Sequence, residues 1–232
     1  MTSIKSILKT SFSNVHQNLP LSYHQYKVFN ALMNCRTHKL GAHSNVCEDC
    51  GSSSIAYNSC RDRHCPLCQS FKREKWRIDR NAELLNVHYF HVVFTIPEEL
   101  HELFLHNQSM LYTLLMKSSA KTLLELAQNK KYLGADLGLT AVLHTWGQTL
   151  SYHPHVHFIV PGGGLCPESG LFKTSRKNFL IPVKVLSNVF RAIFLKALKE
   201  LALSDELYIN LNAIEFKDLI REDFDPHLKI KS

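Results

Sequence analysis

The sequence predicts an α+β protein in which a small cysteine-rich domain precedes a domain with an antiparallel sheet and helices packed on one face. Six of the seven cysteines fall between Cys35 and Cys68. After residue 88, β-branched and aromatic runs alternate with long helical patterns, and two of the runs lie close enough to pair as an antiparallel hairpin. We therefore predict one domain over residues 1–87 and a second over residues 88–232.

Composition and charge limit the class of protein. The chain has 232 residues, of which 45% are hydrophobic, so it can bury a real core and is not a disordered protein. It contains no stretch near the roughly eighteen apolar residues of a membrane span and no signal-peptide pattern, so we expect a cytosolic protein. Residues 1–90 carry twelve basic against six acidic residues, whereas the rest is nearly balanced. This basic excess favours a polyanionic partner such as nucleic acid.

The elements are predicted from hydrophobic periodicity. Helical spacing predicts a short amphipathic helix over residues 16–35 and a basic helix after the cysteines, over residues 70–85. The run "YFHVVFTIP" predicts a core strand, and a long helix follows from Pro97 to about Gln128. Residues 138–150 and 155–163 predict two antiparallel strands joined by a turn at residues 151–154, with the glycines at 162–164 as a flexible exit. A further helix is predicted over residues 183–203.

The cysteine spacing predicts a zinc-ribbon-like site. The pairs Cys47-x-x-Cys50-Gly and Cys65-Pro-x-Cys68 are typical of a tetrahedral Zn²⁺ site, because each two-residue spacer turns both thiolates toward one ion. In a cytosolic chain this pattern favours metal over disulfides, and a closed four-thiolate site is structural. Buried free cysteines are the alternative. Weaker candidate ligands are Cys60 and His64, then Cys35, His38 and His43, whereas Cys166 stands alone and receives no function.

Basic and aromatic residues flank the second cysteine pair. Such a mixture suits phosphate contacts and base stacking on nucleic acid, and a solvated charged helix face is the alternative. The predicted DNA-binding residues are Arg61, Arg63, Lys72, Arg73, Lys75, Trp76 and Arg77, with Phe71 and Arg80 beside them.

The stretch "SYHPHVHFIVPGGG" predicts a second metal site. Alternate residues of a strand share a face, so His155 and His157 point together while Val156 faces the core. If residues 151–154 form the hairpin turn, Gln148 lies opposite His155 and supplies a third ligand; His144 and His153 are the alternatives. Two imidazoles and an amide oxygen leave coordination positions open, which suits catalytic Mg²⁺ or Mn²⁺ bound to a phosphate.

The stretches "NSCRDRHCPLCQ", "HVVFTIP" and "LHTWGQTLSYHPHVHFIVPGGG" occur in this order and together resemble the IS91-family transposases. That family belongs to the HUH class of single-strand nucleases and is related to rolling-circle replication initiators. The resemblance spans about residues 20–220. It implies an N-terminal zinc-binding domain and an HUH nuclease domain whose divalent metal is held by His155 and His157. It further implies binding of single-stranded DNA at the ends of an insertion sequence, in DNA transposition. In related initiators a polar ligand precedes the pair by the distance from Gln148 to His155.

The resemblance fails at the nucleophile. In this class a tyrosine hydroxyl attacks a phosphodiester and forms a 5′-phosphotyrosine link. The family places that tyrosine after the histidine pair in a Tyr-Leu-Gly-Arg-Tyr-like segment, which is missing here. Tyr208, in "DELYINLN", is the only tyrosine beyond the pair and is interpreted as a packing residue. We therefore expect a truncated or frameshifted transposase that binds DNA and metal but does not cut DNA alone. The alternative is a zinc-dependent DNA-binding or regulatory module with a relic metal site.

Overall fold

The structure is a computed structural model, and it describes residues 4–15, 21–176, 181–204, 207–208 and 228–231. The chain divides into two units, Met1–Leu84 and Leu85–Ser232. Each unit has a hydrophobic cluster of its own. None of the helices in the described ranges is both long enough and apolar enough to cross a membrane.

The first unit combines three helices with one small hairpin. Its elements are α1 (Ile4–Val15), α2 (Tyr23–Asn34), a 3-10 turn (His38–Leu40), β1 (Ala42–Val46), β2 (Ser53–Tyr57) and α3 (Pro66–Ala82). The Ser22 hydroxyl accepts a hydrogen bond from the Gln25 backbone, whose side chain in turn accepts one from the Ser22 backbone; this capping box fixes the start of α2. The predicted short helix is confirmed as α2, although residues 16–20 of its range lie outside the described residues.

The second unit is a four-stranded antiparallel sheet with helices, which confirms the predicted α+β class. Its main elements are β3 (Tyr89–Thr95), a 3-10 turn (Glu98–Leu100), α4 (His101–His106), α5 (Gln108–Gln128), β4 (Thr140–Trp146), β5 (Tyr152–Pro161), α6 (Val183–Leu203) and β8 (Leu228–Lys231). A small hairpin of β6 (Gly163–Leu165) and β7 (Phe172–Thr174) lies between β5 and α6. The strand order of the sheet is β4-β5-β3-β8.

The two faces of the sheet have different roles. Val156, Phe158 and Val160 of β5 are fully buried, as are Val92 and Phe94 of β3. They form one core with apolar side chains of the helices, including Leu111, Leu115, Phe190 and Phe194. Because side chains alternate along a strand, the residues between them face the other way. That second face carries His155 and His157.

The long helix predicted from Pro97 to Gln128 is interrupted at Asn107. This residue has φ −123° and ψ 38°, which ends α4 before α5 begins. Its amide donates to the carbonyl oxygens of Leu103 (2.9 Å) and Tyr208 (2.7 Å), and its side-chain oxygen accepts from the Tyr208 backbone (2.7 Å). These contacts with a residue distant in sequence compensate for the interrupted helix, and helical periodicity alone could not reveal them.

The hairpin between β4 and β5 turns earlier than predicted. Gly147 donates to the Ser151 carbonyl (2.9 Å), and Leu150 adopts the left-handed φ of 61° between them. Residues 153 and 154 therefore belong to β5 rather than to the turn. Pro154 lies at the irregularity in the pairing of β4 with β5, between the paired residues Tyr152 and His155. Proline has no N–H to donate to a neighbouring strand, and an irregular position tolerates it for that reason. The earlier turn pairs His155 with His144, so the predicted alignment with Gln148 is wrong.

The three glycines after β5 are packed tightly rather than flexible. Gly163 and Gly164 form part of β6 and are buried. A Cβ atom on Gly164 would lie 2.2 Å from the carbonyl oxygen of Asp136, the residue that pairs with Leu165. The glycine run thus allows two backbone segments to approach each other closely.

Candidate functional site

Four cysteines of the first unit converge on one point. They are Cys35 at the end of α2, Cys60 after β2, Cys65 at the start of α3 and Cys68 in its first turn. The Sγ atoms lie 3.5 Å apart for Cys35 and Cys68, 3.5 Å for Cys60 and Cys68, and 3.6 Å for Cys35 and Cys65. Two thiolates bound to one tetrahedral zinc at about 2.3 Å would lie about 3.8 Å apart. The cluster therefore fits a closed zinc site.

The environment of these four thiols is largely shielded. Cys35 and Cys65 are buried, and Cys60 and Cys68 are half-buried. Burial raises the pKa of the Cys35 and Cys60 thiols. Burial also opposes ionisation of Cys68, but hydrogen bonds from Cys35 and Cys60 outweigh it and lower the pKa of Cys68 to about 7. These hydrogen bonds favour the thiolate form of Cys68, which is the form that binds metal.

The four cysteines of the spacing-based zinc set do not come together. Cys65 and Cys68 lie in the cluster, whereas Cys47 and Cys50 are exposed at the tip of the β1–β2 hairpin. Hydrogen bonds from Ser52, and then one from Cys47, lower the pKa of the Cys50 thiol. His64, a weaker candidate, instead contacts the Asp62 carboxylate at 3.1 Å.

The predicted DNA-binding residues lie on α3 and in the loop before it. No residue of α3 is buried, and Phe71 and Trp76 expose 77% and 48% of their surfaces. Lys75 pairs with Asp79 (3.3 Å) and Arg77 with Glu74 (2.5 Å), which neutralises part of the helix. Among the described residues, Lys72 and Arg73 form no ion pair within 4 Å, and Arg61 and Arg63 are exposed. The free cations and the indole of Trp76 can thus contact a phosphate backbone and a base.

Three histidines of the second unit form the other cluster. His155 and His157 project from the same face of β5, and His144 lies across from His155 on β4. Candidate ligand nitrogens of all three lie within 4.8 Å of one another. The ring of His144 lies 4.3 Å from that of His157 and 5.3 Å from that of His155. These distances are short enough for three imidazoles to bind one ion.

Hydrogen bonds leave one nitrogen each of His155 and His157 available for a metal. The Nδ1 atom of His155 lies 2.7 Å from the His153 carbonyl oxygen, so it donates there and leaves Nε2 as the acceptor. The Nδ1 atom of His157 lies 2.7 Å from Nε2 of His91, whose ring stacks on it at 4.9 Å. The Nε2 atom of His157 is buried and has no hydrogen-bond partner. An unpartnered buried nitrogen next to two other imidazoles is the observation that favours a metal here.

The electrostatics of this cluster favour the neutral imidazole at His144 and His157. Burial, and then the proximity of His144, His155 and His91, lower the pKa of His157 to about 4. Burial and His155 also lower the pKa of His144. Neutral imidazole is the form that binds metal, so protons compete weakly at these two positions near pH 7. A cavity of about 440 Å³, lined by His91, His144 and His157 among others, adjoins the cluster and leaves room for a ligand.

Two further predicted residues occupy other places. Gln148 is exposed in the turn between β4 and β5, where it does not face His155. The Tyr208 ring lies 5.6 Å from that of His106. The Tyr208 backbone N–H and carbonyl both bond to the side-chain amide of Asn107. His91, by contrast, belongs to the site and received no role from the sequence. Its position between the buried Phe90 and Val92 is the signal that could have placed it on the histidine face.

Comparison with known proteins finds two matching family models. Residues 7–96 match the family model described as "Transposase zinc-binding domain", of the IS91 type, and residues 138–225 match the one described as "Putative transposase". No solved structure matches the chain. The two family models together cover most of the sequence and indicate a transposase family with a zinc-binding domain.

Two curated relatives carry the same description. The chain is 48% identical over 184 residues to "Putative transposase y4qJ" of Sinorhizobium fredii, covering 79% of this chain and 46% of that protein. It is 33% identical over 144 residues to the transposase for insertion sequence element IS801 of Pseudomonas savastanoi pv. phaseolicola, covering 61% of this chain and 34% of the relative. The chain thus matches less than half the length of either. It belongs to the IS91 family of transposases, as the sequence motifs predicted.

Proposed function

We propose that this chain binds single-stranded DNA at the ends of an insertion sequence and holds a divalent cation of an HUH-type nuclease site. The ligands are His155 and His157, as predicted, with His144 in place of Gln148 as the third. The observation that carries the proposal is the buried, unpartnered Nε2 of His157 beside two further imidazoles and an open cavity. A Mg²⁺ or Mn²⁺ ion held there would polarise a scissile phosphate and stabilise the charge that develops on it.

The surrounding residues prepare the site for this chemistry. A hydrogen bond from Nδ1 of His155 to the His153 carbonyl, and one from Nδ1 of His157 to His91, would leave Nε2 of both rings unprotonated and able to bind a metal. The antiparallel pairing of β4 with β5 holds His144 across from them. Two positioned strands maintain the distances between ligands more precisely than loops do.

In the first unit, we propose that a structural Zn²⁺ is held by Cys35, Cys60, Cys65 and Cys68. This assignment keeps two members of the spacing-based set and replaces Cys47 and Cys50. It is supported by Sγ–Sγ distances of 3.5 to 3.6 Å and by the family match over residues 7–96. Because Cys65 and Cys68 begin α3, zinc bound there would fix the start of the basic helix.

DNA binding is proposed for the exposed residues of α3 and its preceding loop. Lys72, Arg73, Arg61 and Arg63 would contact phosphates, and Trp76 would stack on a base. If a base stacks on Trp76, Trp76→Ala weakens binding of a labelled single strand by about 10-fold. Lys72→Ala removes one phosphate contact, so the slope of log K against log salt concentration becomes shallower by about 0.7. Lys121→Ala, an exposed lysine of α5, is the matched control and changes neither value.

We assign no nucleophile within these 232 residues. Tyr208 is the one tyrosine that follows the histidine pair in the sequence; its ring lies against His106, and the surrounding "DELYINLN" does not match the nucleophile segment of the family. We therefore expect no covalent adduct when this chain is incubated with labelled single-stranded hairpins and Mn²⁺ and then denatured. An adduct lost in Tyr208→Phe would contradict this expectation and make Tyr208 the nucleophile.

The central experiment is a Mn²⁺ titration of the purified chain, followed by calorimetry. We expect one Mn²⁺ per chain, and binding at least about 100-fold weaker in the double variant with His155→Ala and His157→Ala. Replacing His106, an exposed histidine of α4, by Ala is the matched control and leaves Mn²⁺ binding unchanged. If wild type binds no Mn²⁺, or the double variant binds it equally well, a zinc-dependent DNA-binding module with a relic metal site is the better interpretation.

A further inference from the structure

The tip of the β1–β2 hairpin has the shape of half a zinc site. Cys47 and Cys50 flank a turn in which Gly51 N–H donates to the Cys47 carbonyl and Cys47 N–H donates to the Ser52 carbonyl, both at 2.9 Å. Gly51 adopts φ +68°, a conformation that favours glycine. The two thiols lie within hydrogen-bonding reach of each other, and both residues are exposed. This closed turn presents two thiols, at the spacing zinc sites use, to the solvent.

The pair lacks the rest of a coordination shell. The four-cysteine cluster already contains four ligands and does not include this pair. Within the described residues, no third histidine, cysteine or carboxylate joins Cys47 and Cys50 in a metal-binding group. Zinc bound by protein thiolates is tetrahedral in closed sites, so two more ligands are needed.

The hairpin beside the pair also has an uncovered apolar face. Val46, Ile55 and Tyr57 expose 64%, 68% and 48% of their surfaces. In the register of the hairpin, Ser44 pairs with Ile55, Ala42 with Tyr57 and Val46 with Ser53, which puts the three apolar side chains on one face. An isolated two-stranded ribbon is marginally stable, so covering this face would stabilise the hairpin.

We infer that two copies of this chain share one zinc ion, which Cys47 and Cys50 of each copy bind. A two-fold contact between identical hairpins supplies four thiols, each of which releases its proton and binds zinc as a thiolate, and lays the two apolar faces close together. A second copy meets both requirements with residues already present. The inference is independent of the histidine site and of DNA binding.

Charge makes this association depend on zinc. Glu48 and Asp49 lie within each turn, so a pair of tips brings four carboxylates close together and they repel. Two hairpin tips also bury far less than the roughly 1,200 Å² of a stable interface, so apolar contact alone is insufficient. The metal–thiolate bonds must supply most of the association free energy.

The test measures zinc content and molecular mass together. All proteins carry His155→Ala and His157→Ala so that imidazoles do not add zinc, and a phosphine reductant excludes disulfide-linked dimers. In this background we expect a dimer with about 1.5 zinc ions per chain. Adding Cys47→Ser and Cys50→Ser should give a monomer with about one zinc ion per chain and an unchanged circular dichroism spectrum. Cys166→Ser, outside both cysteine groups, is the control and stays dimeric.

A second variant tests the apolar face without touching the ligands. Ile55→Ser should leave the zinc content of the assembled protein near 1.5 ions per chain while raising the dimer dissociation constant roughly 10-fold. A monomer with about two zinc ions per chain would overturn the inference, because each turn would then complete its own site. A monomer with about one zinc, or a dimer that persists without Cys47 and Cys50, would also overturn it. Mn²⁺ binding by the histidines is measured separately, so failure here is distinct from failure of the proposed function.

Discussion

The two side-chain clusters of this chain differ in ligand number, chemistry and access to solvent. The four-cysteine cluster has a full set of soft ligands taken from the end of one helix, a loop and the start of another helix. The histidine cluster has three imidazoles on two adjacent strands and borders a cavity of about 440 Å³. A closed site can only hold a structure together, whereas an open one can bind a substrate atom. Under the proposed assignments, one metal would organise the first unit and another would serve the chemistry of the second.

The largest effect that tests this comparison is loss of the closed site. Cys60→Ser removes one of four thiolates, and structural zinc contributes about 10 kcal/mol or more to folding in small domains. A loss of that size is comparable to the whole free energy of unfolding of a typical domain, so we expect the first unit to unfold and lose its zinc. Hydrogen exchange of α2 and α3 amides, with metal analysis, measures both. Cys47→Ser is the matched control and should keep α2 and α3 protected; equal loss in both variants would contradict the assignment.

The second prediction separates the two candidates for the third ligand of the open site. We expect His144→Ala to weaken Mn²⁺ binding by at least about 10-fold, because it removes a nitrogen that lies near those of His155 and His157. Gln148→Ala, in the turn, should leave binding unchanged. Calorimetry on both variants decides the question. The reverse order of effects would mean that the turn closes over the metal and Gln148 binds it.

A smaller effect is expected for the residue that positions His157. His91→Ala removes the partner of His157 Nδ1, so the ring loses its fixed tautomer while all three ligands remain. Losses of this kind are about 10-fold in metal affinity. His91→Gln, which can accept the same hydrogen bond, should restore most of the affinity. If His91→Ala and His91→Gln behave alike, the contact is structural packing and not positioning.

The sequence predicted well those features of the fold and site that depend on local periodicity. Alternation along β5 placed His155 and His157 on one face, and helices α2, α5 and α6 and strands β3 to β5 follow from apolar spacing. By contrast, strand β8 pairs with β3 from the far end of the chain, and Asn107 interrupts a helix through contacts with Tyr208. Spacing within a segment carries no information about such distant pairings.

The ligand sets show the same limit. The two Cys-x-x-Cys pairs look alike in sequence, so spacing could not reveal that one joins Cys35 and Cys60 while the other stands apart. The third candidate ligand depends on where the hairpin turns, and the turn closes between Gly147 and Ser151, with Leu150 left-handed, rather than at residues 151–154. The earlier turn puts His144, four residues before Gln148, opposite His155.

The smallest predicted effect is a pH dependence confined to the open site. Burial and neighbouring histidines lower the pKa of His157 to about 4 in the folded chain, below the value of about 6.5 for an unfolded histidine. The unfolded state therefore binds the proton first, so the stability that His157 contributes is complete above about pH 6.5 and is lost as pH falls toward 4. Hydrogen exchange of β5 amides, with a chelator present, reports this loss for the second unit. His157→Gln, which does not titrate, should show a shallower decline between those pH values; an equal decline would mean that the proton is taken up at other groups.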